Sequence, residues 1–384
     1  MTKPYRVAVV INLNWTMKHH QEVFGGIQEY AHEMGWESET CPYAPEITDS
    51  KGAPRYDGII ARATPQLASA AAAASVPLVN VWLSSPATGV PTVGPDVGEA
   101  GRMAGEHLIS RGFRRFGYVG FRRARSSRDL DKGFRDVVRR PGSKNYSRIL
   151  NSTAFCDSRR GWEIFQKEIG AWIAGLETPV GIIAGTDKLA RYVIDAARKQ
   201  GLDIPRDLAV IGLENEEVVC MNPEPTITSI DLGWPGTGRR AGEILGELMD
   251  GAPAPVERVL LPPVNLVPRR STDAYDVDDP DVAQALRFIL ENCHRPIKVS
   301  DVIEQAPLSW RSMERRFREA RGGTISKEIT RLRVERAKRL LTETSMLIKQ
   351  VAEACGFTDT RRLCEVFARE LGISPERYRQ QRST

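Results

Sequence analysis

Residues 300–322 and 350–372 repeat one another at a constant offset of 50. Val302 falls on Ala352, Ala306 on Gly356, Met313 on Leu363, Phe317 on Phe367 and Gly322 on Gly372. A fixed offset means one structural unit used twice. In each copy the pattern predicts a short helix (Ser300–Gln305; Ile348–Ala354), a turn (Ala306, Pro307; Gly356, Phe357) and a helix with a polar start (Ser309–Arg321; Asp359–Glu370). That order and spacing is helix-turn-helix, with motifs at about 299–321 and 348–370.

In each second helix the apolar pair, Met313 and Phe317 or Leu363 and Phe367, stands at i and i+4 and forms the buried stripe. The opposite face carries Trp310, Arg311, Glu314, Arg315 and Arg318 in the first unit, and Thr360, Arg361, Arg362 and Glu365 in the second. Arginine pairs bidentately with guanine O6 and N7, and glutamate accepts from cytosine N4, each worth about 1–3 kcal/mol of discrimination. A single such helix fits a solvated surface equally well; two in register favour double-stranded DNA. A helix predicted over 328–341 joins the units, with Ile329, Leu332, Leu340 and Leu341 apolar and Arg331, Arg333, Arg336 and Arg339 polar. Such a rod holds two readers about 34 Å apart, one DNA turn, so one chain reads two adjacent half-sites in the major groove.

Charge agrees with this division. Residues 280–384 carry 21 Lys and Arg against 14 Asp and Glu, leaving 33 against 35 for the rest of a 384-residue chain. A basic end of this kind suits a polyanion. The stretch 271–280, STDAYDVDDP, is polar and aperiodic and reads as a linker between a body of residues 1–270 and an all-α part of residues 281–384.

In the body, short β-branched runs alternate with helical periodicity, the pattern of βαβ units and parallel sheets flanked by helices. Strands are predicted at Arg6–Leu13, Asp57–Ala61, Pro77–Val81, Phe116–Gly120, Val180–Ala184 and Ala209–Leu213, and helices at Glu22–Met34 and Gly98–Arg111. The expected architecture is a two-lobed α/β body followed by a domain with two helix-turn-helix motifs. The six cysteines are scattered with no zinc spacing, so no metal or cofactor is expected. No signal-peptide pattern or span of about 20 apolar residues is present, which favours a cytoplasmic protein with no membrane contact.

Three stretches carry a family resemblance in the tail: LRVERA at 332–337, IKQVAEACGF at 348–357 and FARELGISPERYR at 367–379. They resemble the DNA-binding domain of the AraC/XylS regulators. That resemblance implies base-reading roles for Arg311, Glu314 and Arg315, and for Arg361, Arg362 and Glu365. A nucleophilic cysteine in a PCHR-like setting, as in the AraC-type domains fused to DNA-repair methyl acceptors, is absent from the sequence. The body resembles the LacI-type, periplasmic-binding-like effector fold through residues 93–120, 180–217 and 228–245. The two joined in this order are similar to the xylose-operon regulators.

Ligands of open α/β sheets bind beyond the carboxyl ends of the strands. That rule selects Asn12 and Asn14, with His19 and Gln21 in the turn that follows; Trp82; Thr186 and Asp187; and Glu214 and Asn215. Carboxylates and amides pair with sugar hydroxyls, and an aromatic covers the apolar face. A helix cap or turn also accounts for Asn12, Thr186 and Asp187, and a core position for Trp82. Adjacent His19 and His20 lack further ligands for a metal. The resemblance supports Asp187 and Glu214 as cleft residues and likens Asn12 and Asn14 to the family's start. It also shows two departures: Leu130 stands where the family has arginine, with Arg128 and Asp131 beside it, and Glu214 stands where aspartate is usual.

These observations lead to a sugar-responsive transcription regulator, not an enzyme, activating pentose catabolic genes of the xylose type. Its expected partners are operator DNA with repeated half-sites, a pentose, a second copy through the effector body, and RNA polymerase. A repressor, a different aldose or a non-sugar effector fits the same architecture. A sugar-modifying enzyme is the remote alternative, since neither GxGxxG after the first strand nor GxxxxGK[ST] occurs.

Overall fold

The computed structural model describes residues 4–14, 18–121, 125–150, 158–273, 277, 279–344 and 346–383. The strands are β1 (Arg6–Val10), β2 (Glu37–Cys41), β3 (Gly58–Ala61), β4 (Leu78–Asn80), β5 (Val93–Pro95), β6 (Arg115–Phe121), β7 (Lys144–Leu150), β8 (Val180–Ala184), β9 (Leu208–Leu213), β10 (Thr228–Asp231), β11 (Val259–Leu261) and β12 (Asn265–Val267). The body's helices are α1 (Lys18–Glu33), α2 (Pro65–Ala73), α3 (Val97–Ser110), α4 (Arg125–Val138), α5 (Arg159–Ala174), α6 (Asp187–Lys199), α7 (Glu217–Met221) and α8 (Trp234–Met249). Those of the tail are α9 (Pro280–Asn292), α10 (Val299–Ile303), α11 (Trp310–Arg321), α12 (Ile325–Glu343), α13 (Ile348–Ala354), α14 (Thr360–Leu371) and α15 (Pro375–Ser383).

Two sheets make the two lobes. The first is parallel, in the order β2-β1-β3-β4; the second runs β12-β10-β9-β8-β6-β7 and is parallel except at β10–β12. Each has a hydrophobic cluster on both faces, which is why β8 (VGIIA) and β9 (LAVIGL) are unbroken apolar runs. Chain crossings make each lobe discontinuous: α8 packs on α1 in the first lobe, while β12 returns to the second. The helices α1 and α8 approach so closely that a Cβ on Gly26 would collide with the Pro235 carbonyl, and one on Gly238 with the Val23 carbonyl. Met34, the predicted last residue of the first helix, lies past the end of α1 and is exposed.

The polar stretch 271–280 begins inside the body. Arg270–Thr272 form a 3-10 turn, and Ser271 and Thr272 are fully buried. Ser271 Oγ donates to the Val210 carbonyl (2.5 Å) and accepts from the Thr228 amide (2.9 Å), bonds that hydroxyl side chains make where composition alone suggests solvent. Residues 274–276 and 278 lie outside the described residues. Asp279 caps α9 and receives both Nε and Nη2 of Arg316 at 2.6 Å.

The tail has one hydrophobic cluster per helix-turn-helix unit. Between them lies α12, giving Leu332 to the first and Val334 to the second. The second helix of each unit, α11 and α14, ends on a glycine in the left-handed conformation, Gly322 (φ 69°) and Gly372 (φ 75°), which frees the terminal carbonyls from a Cβ clash.

Candidate effector pocket and DNA-reading surface

A cavity of about 380 Å³ lies between the lobes. Much of its wall is made of residues at or just after strand ends: Ile11 after β1, Arg62 after β3, Trp82 after β4, Phe121 at the end of β6, Thr186 after β8 and Glu214 after β9. Helices contribute the rest, among them His19 and His20 from α1, Val97 from the start of α3, Ser126, Ser127 and Leu130 from α4, and Trp234 from the start of α8. Carboxyl strand ends of both lobes therefore face one space, as open α/β sheets require of a ligand site.

Trp234 stacks on His19 with ring centroids 4.8 Å apart, and the Arg62 guanidinium carbon lies 4.6 Å from the centre of the Trp82 ring. Across the cleft His19 Nδ1 meets Glu214 Oε1 at 3.4 Å. Burial, then the neighbouring His19 and Arg62, hold the His20 imidazole down to about 4, so it is neutral at physiological pH. Burial also pulls the Arg62 guanidinium down to about 10, which leaves it charged. The buried Trp234 indole N–H meets no acceptor among the described residues. Aromatic plates, one carboxylate and several N–H donors around a small space suit a polyhydroxylated ligand.

Of the residues selected from sequence, His19, Trp82, Thr186 and Glu214 line this cavity. Asn12, Asn14, Gln21, Arg128, Asp187 and Asn215 do not. Asn12 Oδ1 accepts from the Asn14 amide (3.0 Å) and shapes the turn after β1, and Gln21 and Arg128 are exposed. Asp187 is buried at the start of α6, where its carboxylate accepts from Ser229 Oγ (2.5 Å) and the Glu216 amide (2.6 Å). Burial pushes its carboxyl up to about 7. Asn215 Oδ1 is taken by Arg269 Nη2 at 2.8 Å. Thr186 also caps α6, accepting from the Leu189 amide at 3.1 Å.

Arg62, His20, Phe121 and Trp234 also line the cavity, although they are not among the ligand contacts expected from the sequence pattern. The strand-end rule nonetheless applies to Arg62 directly, since it follows the strand predicted to end at Ala61. Trp234 enters by a chain crossing that periodicity does not reveal.

On the tail, Trp310, Arg311, Arg315, Arg318, Arg361, Arg362 and Glu365 are exposed, and Glu314 and Thr360 half-buried. Met313, Phe317, Leu363 and Phe367 are wholly buried beneath them, so the apolar stripe of each helix faces the core and the opposite face lies at the surface. The charges are not independent: Arg315 pairs with Glu319 (2.8 Å), and Glu365 with both Arg361 (2.9 Å) and Arg362 (3.5 Å).

A family model described as a periplasmic binding protein-like domain matches residues 105–272, and one described as a helix-turn-helix domain matches residues 303–381. The chain is similar to the xylose operon regulatory protein of Escherichia coli K12, 28% identical over 98% of this chain and 97% of that protein. The xylose operon regulatory protein of Haemophilus influenzae is 30% identical over 72% of this chain and 71% of its own. A solved xylose-binding transcription activator superposes over 100% of both chains with a TM-score of 0.61 and 27% identity. A transcriptional regulator in complex with cellobiose, 20% identical, shares the body's fold over 69% of this chain and 84% of its own, with a TM-score of 0.55.

Proposed function

The chain belongs to the family of the xylose operon regulatory proteins, and from that membership we propose that its effector is a pentose of the xylose type bound between the lobes. It is a sugar-responsive, sequence-specific DNA-binding transcription regulator. One observation carries the reading: a single chain joins a cleft lined by strand-end residues of two lobes to two helix-turn-helix units in register. The sugar selects the lobe arrangement that it contacts from both sides, and only that difference in affinity shifts the equilibrium. Trp310, Arg311, Arg315 and Arg318 read one half-site and Arg361 and Arg362 the next. The protein acts in the cytoplasm as a dimer formed through its body and activates transcription with RNA polymerase.

Calorimetric titration of the full chain with D-xylose, L-arabinose, D-ribose and D-glucose tests the effector. Saturable binding of a pentose, abolished by Glu214→Ala, is expected; no binding of any of the four refutes the assignment. A different aldose is the second reading, favoured by Leu130 and Glu214, which both line the cavity where the family pattern has arginine and aspartate.

A further inference from the structure

Arg111, the residue that ends α3, is 0% exposed although it carries a guanidinium. Its Nη2 lies 2.8 Å from Glu335 Oε2 on α12 of the DNA-binding part and 3.8 Å from Asp273 Oδ1 of the connecting segment. A buried charge of this kind is tolerated only while its partners stay in place, so the contact contributes specificity of arrangement more than stability.

Two routes run from the pocket to this side chain. The first is α3 itself: Val97 at its start lines the cavity, and His107 and Arg111 at its end meet Thr272 (Nε2 to Oγ1, 2.9 Å) and Glu335. The second begins at Glu214 on the cavity wall. Glu214 and Asn215 are consecutive non-glycine residues with φ of 96° and 51°, a strained pair of the kind found at switching sites. Asn215 Oδ1 accepts from Arg269 Nη2, and the Arg269 amide donates to Thr228 Oγ1 (2.8 Å), which also meets Thr272 Oγ1 (2.8 Å). Asp273 follows directly. Both routes therefore converge on one guanidinium.

Beyond it the chain of charges continues. Glu335 is also held by Arg331, Arg331 Nη2 reaches Glu328 Oε1 at 2.6 Å, and Glu328 lies 3.7 Å from Arg321, the last residue of the reading helix α11. The buried pair thus stands between the cavity wall and the end of a helix that faces DNA.

We propose that Arg111 is a positioning residue that couples the sugar pocket to the DNA-reading helices through its buried pair with Glu335. The inference rests on the effector reading above for its ligand, but not for the contact itself. A ligand that moves the Glu214–Asn215 turn or the start of α3 changes the placement of Arg111, and α12 either keeps its seat on the body or leaves it. Packed interfaces of this kind have discrete arrangements, which lets a small shift at the pocket become a large one at the readers.

The test uses the full chain, with D-xylose as probe, in Arg111→Gln, Glu335→Gln and the charge exchange Arg111→Glu with Glu335→Arg. Sugar affinity is read by calorimetry, and operator affinity with and without sugar by fluorescence anisotropy. In each single variant that folds, sugar affinity is expected to stay within about twofold, while the ratio of operator affinities with and without sugar falls about fivefold or more toward one. The charge exchange should recover part of that ratio. Unchanged ratios in both single variants overturn the proposal, as does an exchange that does no better than either. A second arm needs no effector: hydrogen exchange of the sugar-free chain should quicken at residues 269–273 and 328–336 together in Glu335→Gln. If wild type ignores every aldose while this arm succeeds, the effector reading fails and the latch stands. If the exchange of these segments is unaltered, the latch itself is refuted.

Discussion

His19 and Glu214 face each other across the cleft, one from the start of α1 in the first lobe and the other from the end of β9 in the second, with Nδ1 and Oε1 3.4 Å apart. Both side chains are largely buried and both line the cavity, so in the proposed effector site a hydroxyl bridging them would bond to both lobes at once. Replacing Glu214 by Gln keeps the size and one acceptor but removes the charge. Hydrogen bonds to a charged group contribute about 1.5–3 kcal/mol, so effector affinity should fall roughly tenfold to a hundredfold. Calorimetry on the full chain reads this, and an affinity within twofold of wild type would place the carboxylate outside the site.

The opposite wall makes a separate prediction. Trp234→Phe preserves an aromatic plate against His19 and deletes the buried indole N–H that meets no acceptor among the described residues. If that donor serves the ligand, the variant loses about 1 kcal/mol of effector binding, roughly fivefold, with little change in melting temperature. A large loss of stability with unchanged affinity would assign Trp234 to packing alone.

On the face proposed to meet DNA, Glu365 pairs with both Arg361 and Arg362 and adds a negative charge that a polyanion would meet. Glu365→Gln should therefore raise affinity for unrelated duplex DNA and narrow the gap between operator and non-operator binding. Arg315→Ala and Arg361→Ala should each cost about 1–3 kcal/mol on the operator and relax preference at one base pair. Competition binding with base-substituted operators measures all three. Equal affinities for every substituted site would mean that these side chains do not read bases.

How far the sequence discloses this molecule depends on where the apolar residues lie. Buried central strands are unbroken apolar runs, so β8 and β9 are found within a residue of their ends. The strands β2 (ESETC) and β7 (KNYSRIL) are edges with half-exposed polar faces, and neither pattern nor composition marks them. The tail is legible in detail because its repeat supplies an internal check. Ser309 and Asp359, 50 residues apart, both act as N-caps, accepting from the Ser312 and Arg362 amides at 3.3 and 2.7 Å. The pocket is half legible. Position after a strand finds Trp82 and Glu214, but it does not distinguish a side chain facing the cleft from one turned inward, as the buried Asp187 is.

That inward carboxyl leaves a measurable trace. Asp187 is pushed up to about 7 from an ordinary value of 3.8, with burial as the leading cause and its bonds from Ser229 and the Glu216 amide opposing it. Between those two pH values the folded chain keeps a proton that the unfolded chain has released. The stabilisation from this group is therefore complete below about 4 and is lost as the pH rises through about 7, by at most on the order of 4 kcal/mol. His20 works in the opposite sense: held down to about 4, it favours the fold above 6.5, and that contribution disappears as the pH falls through about 4. The two partly cancel in wild type between pH 4 and 6.5, so the difference between wild type and Asp187→Asn isolates the carboxyl. Urea unfolding at pH 4.5, 6 and 7.5 should show the advantage of wild type over the variant shrinking as pH rises. A difference that is constant across this range would mean that Asp187 is ionised in the fold.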